Sequence, residues 1–243
     1  MSLLQTENLS KHFGGVSAVN GVSLSVAAGE RRALIGPNGA GKTTFFNLLS
    51  GEVAPSGGRI VFDGVDITAL PPHRRANLGI ARTFQSNNLF LGLTVWENVR
   101  LAGHPVKGLG WRCFGPVGSR HSDIAQQSLA QAGLLERRDA PARSLSYGEQ
   151  RHLELAIALA TRPRMLLLDE PAAGMSPAET ERLTRFLREM PREITILIVE
   201  HDMDLVFALA ERITVLQFGE VIADGAPADV KKNPAVMEAY LGT

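Results

Sequence analysis

Residues Arg31-Arg32-Ala33-Leu34-Ile35-Gly36-Pro37-Asn38-Gly39-Ala40-Gly41-Lys42-Thr43-Thr44 decide the fold. Arg31–Ile35 reads as an apolar strand, and Gly36 through Thr43 fits the spacing G-x-x-x-x-G-K-[ST]. Glycines in such a turn let several backbone N–H groups point at one anion, with no Cβ atoms in the way. A helix predicted from Lys42 to Leu49 adds the partial positive charge of its N-terminus and stops at Gly51. Lys42 then reaches the β- and γ-phosphates of a nucleotide, and the Thr43 hydroxyl is placed to ligate Mg²⁺.

Working outward, the second half of such a site is expected where another apolar strand ends in carboxylates. Met165-Leu166-Leu167-Leu168-Asp169-Glu170 supplies it. Asp169 is the candidate to hold magnesium through its water shell, and Glu170 the candidate to orient and polarise an attacking water. His201 follows a further apolar strand, Ile194–Val199, and is the candidate γ-phosphate sensor. Short strands with turns between them are predicted at Leu3–Leu9, Ala18–Val26, Arg59–Phe62 and Ile80–Phe84, with a short helix opened by Pro71 and Pro72 and running through Leu78.

From Gln85 to about Thr161 the pattern becomes helical. Thr94 with Glu97, and Ser146 with Glu149, are spaced as capping boxes. Residues 102–121, rich in Gly and Pro, read as a loop between helices, and helices are expected over Ser122–Ala132 and Tyr147–Ala160. Alternation then resumes with a helix over Pro177–Glu189, another over Met203–Ala210, a hairpin and two short helices. Strands alternating with helices imply an α/β fold whose core sheet is mostly parallel.

Composition narrows the function classes. The 243 residues carry 25 basic and 25 acidic side chains, so no net field favours nucleic acid or an anionic membrane. Cys113 is the only cysteine, which excludes an internal disulfide and a thiolate zinc cluster. The N-terminus lacks the layout of a signal peptide, and no apolar run approaches the roughly 20 residues that cross a bilayer. The expectation is a soluble cytoplasmic protein that reaches a membrane only through a partner.

Leu145-Ser146-Tyr147-Gly148-Glu149-Gln150 separates the classes that share a phosphate loop. Ser146 caps a helix whose N-terminus, with the Gly148 backbone, can hold a γ-phosphate. With GPNGAGKTT, LLLDEP and VEHD in the same order, this segment resembles the signature of ABC transporter ATPases, usually LSGGQ. A kinase or GTPase does not explain it, and no N-K-x-D motif is present. A chromosome-organising module would bring coiled coils or tandem cassettes that this chain lacks.

The resemblance covers essentially the whole chain and implies more than the residues alone. It implies one ABC ATPase domain over 1–243: a nucleotide-binding core with an antiparallel β subdomain at 1–85 and 162–243, and an inserted helical subdomain at 86–161. It implies a head-to-tail dimer in which Ser146, Gly148 and Glu149 meet ATP held by Gly36–Thr44 of the other subunit. Phe13 matches the aromatic that stacks on adenine. Gln85 matches a glutamine that touches magnesium and moves during transport.

RTFQ, LTVWENV, LSYGEQRHLELAIAL, DEPAAGMSPAE, EHDMDLVF and AYLG look like the branched-chain amino-acid importer ATPases, of LivG type. Urea and amide importers share the pattern, and the ATPase of lipopolysaccharide export is the alternative within the fold. Permease subunits, and indirectly a solute-binding protein, are the implied partners. Asn87–Arg100, with Leu89, Phe90, Leu93 and Trp96, is the expected permease contact. Two positions depart from the general pattern: Tyr147 replaces a glycine and must point away from the phosphate, and Ser176 replaces an aspartate and reads as a helix cap.

Overall fold

The computed structural model describes residues 2–83, 89–102 and 119–241. Phe84 as a strand end, Gln85, the Asn87 end of the expected permease contact and residues 103–118 of the expected loop lie outside the described residues. The first sheet is antiparallel: β1 (Ser2–Phe13), β2 (Val16–Ala27), β4 (Gly57–Phe62) and β5 (Val65–Asp66), in the order β2-β1-β4-β5. β1 and β2 run further than their apolar stretches suggested, because pairing continues to Phe13 opposite Val16. The two residues left between them, Gly14 and Gly15, make the short connection that a twisted hairpin favours.

The second sheet combines β3 (Arg31–Ile35), β6 (Ile80–Arg82), β7 (Met165–Asp169), β8 (Thr195–Val199), β9 (Arg212–Gln217) and β10 (Glu220–Gly225). Its order is β10-β9-β3-β8-β7-β6, parallel except for β10. Every residue of β3, β7 and β8 is buried. A strand covered on both faces needs apolar side chains at successive positions, which is why these segments read as unbroken runs.

One face of this sheet packs on α1 (Lys42–Ser50) and the antiparallel sheet, with Phe45 and Phe46 fully buried between them. The other packs on α5 (Tyr147–Ala160), α6 (Pro177–Glu189) and α7 (Met203–Leu209). Leu166, Leu167 and Leu168 are all inaccessible to solvent, each contributing roughly 1.5–3 kcal/mol by burial. A third cluster joins α3 (Val95–Ala102) and α4 (Ser119–Gln131) to the inner face of α5. α4 starts three residues before the expected Ser122. Two short helices, α8 (Pro227–Val230) and α9 (Pro234–Leu241), follow the last hairpin.

The remaining helix, α2 (Pro72–Asn77), carries Arg75, which is 1% exposed. Its guanidinium donates to the carbonyls of Leu48 (2.5 Å), Leu49 (2.9 Å), Leu70 (2.8 Å) and Thr68 (3.0 Å). Leu48 and Leu49 belong to the last turn of α1, whose carbonyls have no partner within the helix. Arg75 therefore closes the negative end of the helix that begins at the phosphate loop. Burial pushes its pKa down to about 10.

Candidate functional site

The C-terminal ends of β3, β7 and β8 lie side by side, and each delivers one part of the site. After β3, the loop from Gly36 bends back on itself to start α1. Two glycines are required by close approach: a Cβ at Gly36 (φ +152°) would stand 2.1 Å from the Leu216 carbonyl, and one at Gly41 (φ +99°) 2.2 Å from that of Ala18. Gly41 caps α1 without a side-chain bond, leaving the first-turn N–H groups for an anion. Lys42, 7% exposed, folds its ammonium onto the Gly36 (2.6 Å) and Pro37 (2.9 Å) carbonyls. Burial lowers its pKa, while the nearby Glu170 and Asp169 carboxylates hold it up.

Asn38, Gly39, Ala40, Gly41, Lys42, Thr43 and Thr44 line an open cleft of about 390 Å³, facing Glu170 and His201. Glu170 sits just past β7 in the left-handed region at φ +48°, its amide donating to the Val199 carbonyl (2.9 Å). Its Oε1 is 2.9 Å from Nε2 of His201. A glutamate held in this conformation is strained, a condition that persists where the surroundings impose it. β7 and β8 thus set a carboxylate and an imidazole together across from Lys42.

Asp169 is buried at the end of β7. Its Oδ2 accepts from Nη2 of Arg82 at 2.8 Å, and its Oδ1 is buried with no hydrogen-bond partner among the described residues. A buried carboxylate oxygen without a donor costs about 1–3 kcal/mol. A divalent cation or its water shell would relieve that cost, so the donor chemistry here fits Mg²⁺. Thr43 lines the open cleft of the phosphate loop, of which Asp169 is not a lining residue, while Gln85 lies outside the described residues.

Ser146, Gly148 and Glu149 do not line this cleft. Ser146 caps α5 through a reciprocal box: its Oγ accepts the Glu149 amide (3.2 Å), and the Glu149 carboxylate accepts the Ser146 amide (2.8 Å). The Glu149 side chain is thereby committed to the helix end. Tyr147 turns toward the loop after Glu170, donating to the Ala173 carbonyl at 2.9 Å, with Arg151 bonded to its oxygen. Ser176 caps α6 in the same reciprocal way with Glu179, as its spacing predicted. Phe13 is half exposed at the tip of the first hairpin, with the Lys11 ammonium 5.0 Å from its ring centre.

Besides Arg82, three contributors escaped the sequence reading. Glu200, 4% exposed, accepts from the amides of Ala172 (2.7 Å), His201 (2.9 Å) and Asp202 (3.4 Å), fixing the turns that carry Glu170 and His201. Burial pushes its carboxyl pKa up against those three donors. Phe218, 82% exposed at φ +50°, lines the cleft from the β9–β10 turn. Its neighbour Gly219 donates to the Ala40 carbonyl and accepts from the Asn20 amide. Tyr240, on the C-terminal helix, lies near enough to the phosphate loop for the Gly36 amide to act on its hydroxyl, whose pKa burial raises. An aromatic residue before glycine in a hairpin was the only advance signal for Phe218.

Comparison with known proteins gives consistent matches. A family model described as ABC transporter matches residues 19–173, and one described as branched-chain amino acid ATP-binding cassette transporter matches 220–243. The high-affinity branched-chain amino acid transport ATP-binding protein LivG of Escherichia coli K12 is 42% identical over 249 residues, covering 99% of this chain and 98% of the relative. The ADP conformation of an ATP-binding cassette of an ABC transporter superposes with a TM-score of 0.89 at 34% identity, with all of both chains covered. A dimeric bacterial ABC transporter cassette superposes at 0.78 with 26% identity, over 92% of this chain and 98% of that one.

Proposed function

Because the chain belongs to the ABC transporter ATPase family, we propose that it binds and hydrolyses ATP to drive an importer of branched-chain amino acids or related polar solutes. The observation that carries the reading is the cleft that brings Lys42 and the phosphate loop opposite Glu170 and His201. In it, the loop amides and the Lys42 ammonium, released from the Gly36 and Pro37 carbonyls, take the triphosphate. Glu170 orients the attacking water and receives its proton, and His201 holds the Glu170 carboxylate and senses the terminal phosphate. Thr43 and Asp169, with Gln85, would hold Mg²⁺, which when bound neutralises phosphate charge. Phe13 offers a face for adenine.

Ser146 and Gly148, which do not line their own cleft, would meet the terminal phosphate held by a second subunit. The dimeric relative supports pairing of this kind, with a paralogue or a second copy completing each site. Closure of that pair would move permease subunits, served in turn by a solute-binding protein. No helix among the described residues is long and apolar enough to cross a membrane. Its likeness to transport ATP-binding proteins supports a peripheral position on the cytoplasmic face, reached through the permease subunits.

For the permease contact, a mostly apolar groove of about 440 Å³ is better formed than the expected surface alone. Pro72, Ala76, Ile80, Leu89 and Ile157 line it. Leu89 joins that wall, Phe90 is 61% exposed nearby, and Trp96 packs on the helical cluster under Arg138. The branched-chain match at 220–243 favours the amino-acid importer over lipopolysaccharide export.

Two measurements test the reading. The chain, purified with its neighbouring membrane subunits in nanodiscs, should release phosphate from ATP in a manner stimulated by the loaded solute-binding protein. That binding protein, titrated with leucine, isoleucine, valine, urea and short amides, should prefer the first three. Absence of ATP turnover in the intact complex would remove the motor assignment, and preference for urea would move the cargo.

A further inference from the structure

Arg82 stands at the last position of β6, 8% exposed at its side chain, and its guanidinium is divided between two structures. Nη2 donates to Oδ2 of Asp169 at 2.8 Å. Nη1 faces the end of α1, donating to Oδ1 of Asn47 (2.6 Å), Oγ of Ser50 (3.1 Å) and Oε2 of Glu52 (3.2 Å). The planar fork suits this division, because its donors diverge at fixed angles that a lysine cannot reproduce. Ser50, Glu52 and Arg82 also line the apolar groove. One side chain thus joins the phosphate-loop helix, the groove wall and the buried carboxylate.

The consequence falls on Asp169. Arg82 holds Oδ2, and Oδ1 is the oxygen left buried without a donor among the described residues. We propose that Arg82 is a positioning residue that sets Asp169 for the divalent cation and couples that setting to the groove through Glu52 and Ser50. The inference rests on the reading of the cleft as a magnesium–nucleotide site. Fixing a ligand's orientation through its outer hydrogen bonds is how partners of metal ligands act, and their loss typically costs about 10–100-fold in metal affinity.

The test uses the full chain and a fluorescent ADP analogue, titrated in EDTA and then against Mg²⁺. Arg82→Lys keeps the charge and loses the fork, and Asn47→Ala removes one anchor of Arg82 without altering any charge or touching Asp169. Arg82→Lys should raise the Mg²⁺ midpoint by about tenfold, with Asn47→Ala shifting it in the same direction by less. Affinity for the analogue in EDTA should match the parent in both. Equal weakening with and without Mg²⁺, alongside a lower melting temperature, would mean that Arg82 only holds the fold together, and would overturn the proposal. Unchanged midpoints in both folded variants would overturn it too. A parent chain whose nucleotide affinity ignores Mg²⁺ would instead sink the underlying reading of the site.

Discussion

Glu170→Gln separates binding from chemistry, and Glu170→Gly adds a readout in stability. The carboxylate lies 2.9 Å from His201 and faces Lys42 across the cleft. Glutamine keeps the length and a hydrogen-bonding tip but cannot take a proton from water. Loss of that function is worth roughly 2.7–4 kcal/mol in the barrier, or about two to three powers of ten in turnover. Nucleotide affinity should not fall, because the substitution removes a negative charge from a site for an anion. Glycine relieves the left-handed backbone at φ +48°, a release of about 1 kcal/mol, against which stands a partly exposed contact to His201. Glu170→Gly should therefore melt no lower than the parent, gaining up to about 2–4 °C, while being as inactive as the glutamine variant. Phosphate release, analogue binding and calorimetric melting on the three proteins decide it. Turnover of Glu170→Gln within a factor of about three of the parent, less than 1 kcal/mol in the barrier, would refute Glu170 as the group that activates water.

The capping boxes at Ser146 and Ser176 provide an internal control. Ser146→Ala and Ser176→Ala should each cost about 1 kcal/mol of stability, but only the first should abolish ATP-dependent dimerisation in size-exclusion chromatography of Glu170→Gln. Arg75→Met strands four carbonyls that Arg75 now serves. At about 1 kcal/mol for each lost bond it should destabilise by 3 kcal/mol or more, a fall of about 6–12 °C in calorimetry. His152 on α5 is held below the ordinary imidazole pKa, chiefly by burial, and its Nδ1 lies 3.1 Å from the Ala132 carbonyl. The unfolded chain takes up the proton first, so stability should drop as the pH falls through about 6.5 toward the lower folded value. His152→Gln should flatten that part of a urea-denaturation profile against pH.

What the sequence disclosed follows from how locally each feature is encoded. The phosphate loop is one contiguous stretch whose glycines answer to nearby steric demands, such as the Ala18 carbonyl against Gly41. Capping boxes need only three residues of spacing, and those at Ser146 and Ser176 formed as read. Fully buried strands announce themselves by apolar runs, which is why β3 was bounded correctly, while the serine caps fixed the starts of the helices Tyr147–Ala160 and Pro177–Glu189.

Residues whose roles depend on distant chain were silent. Arg82 reads as one more cation at the end of a strand, and its importance exists only once β6 lies beside β7 and across from α1. Glu200 looks like a polar neighbour of His201 until its carboxylate is seen receiving amides from two separate turns. Arg75 is a buried arginine with carbonyl partners and no carboxylate, a pattern that no charge-pair rule anticipates. In each case the informative quantity is burial of a polar group together with the direction of its partners. Neither is a property of a single segment, so motifs name the groups proposed to touch the nucleotide, while the groups that hold those in place appear only in three dimensions.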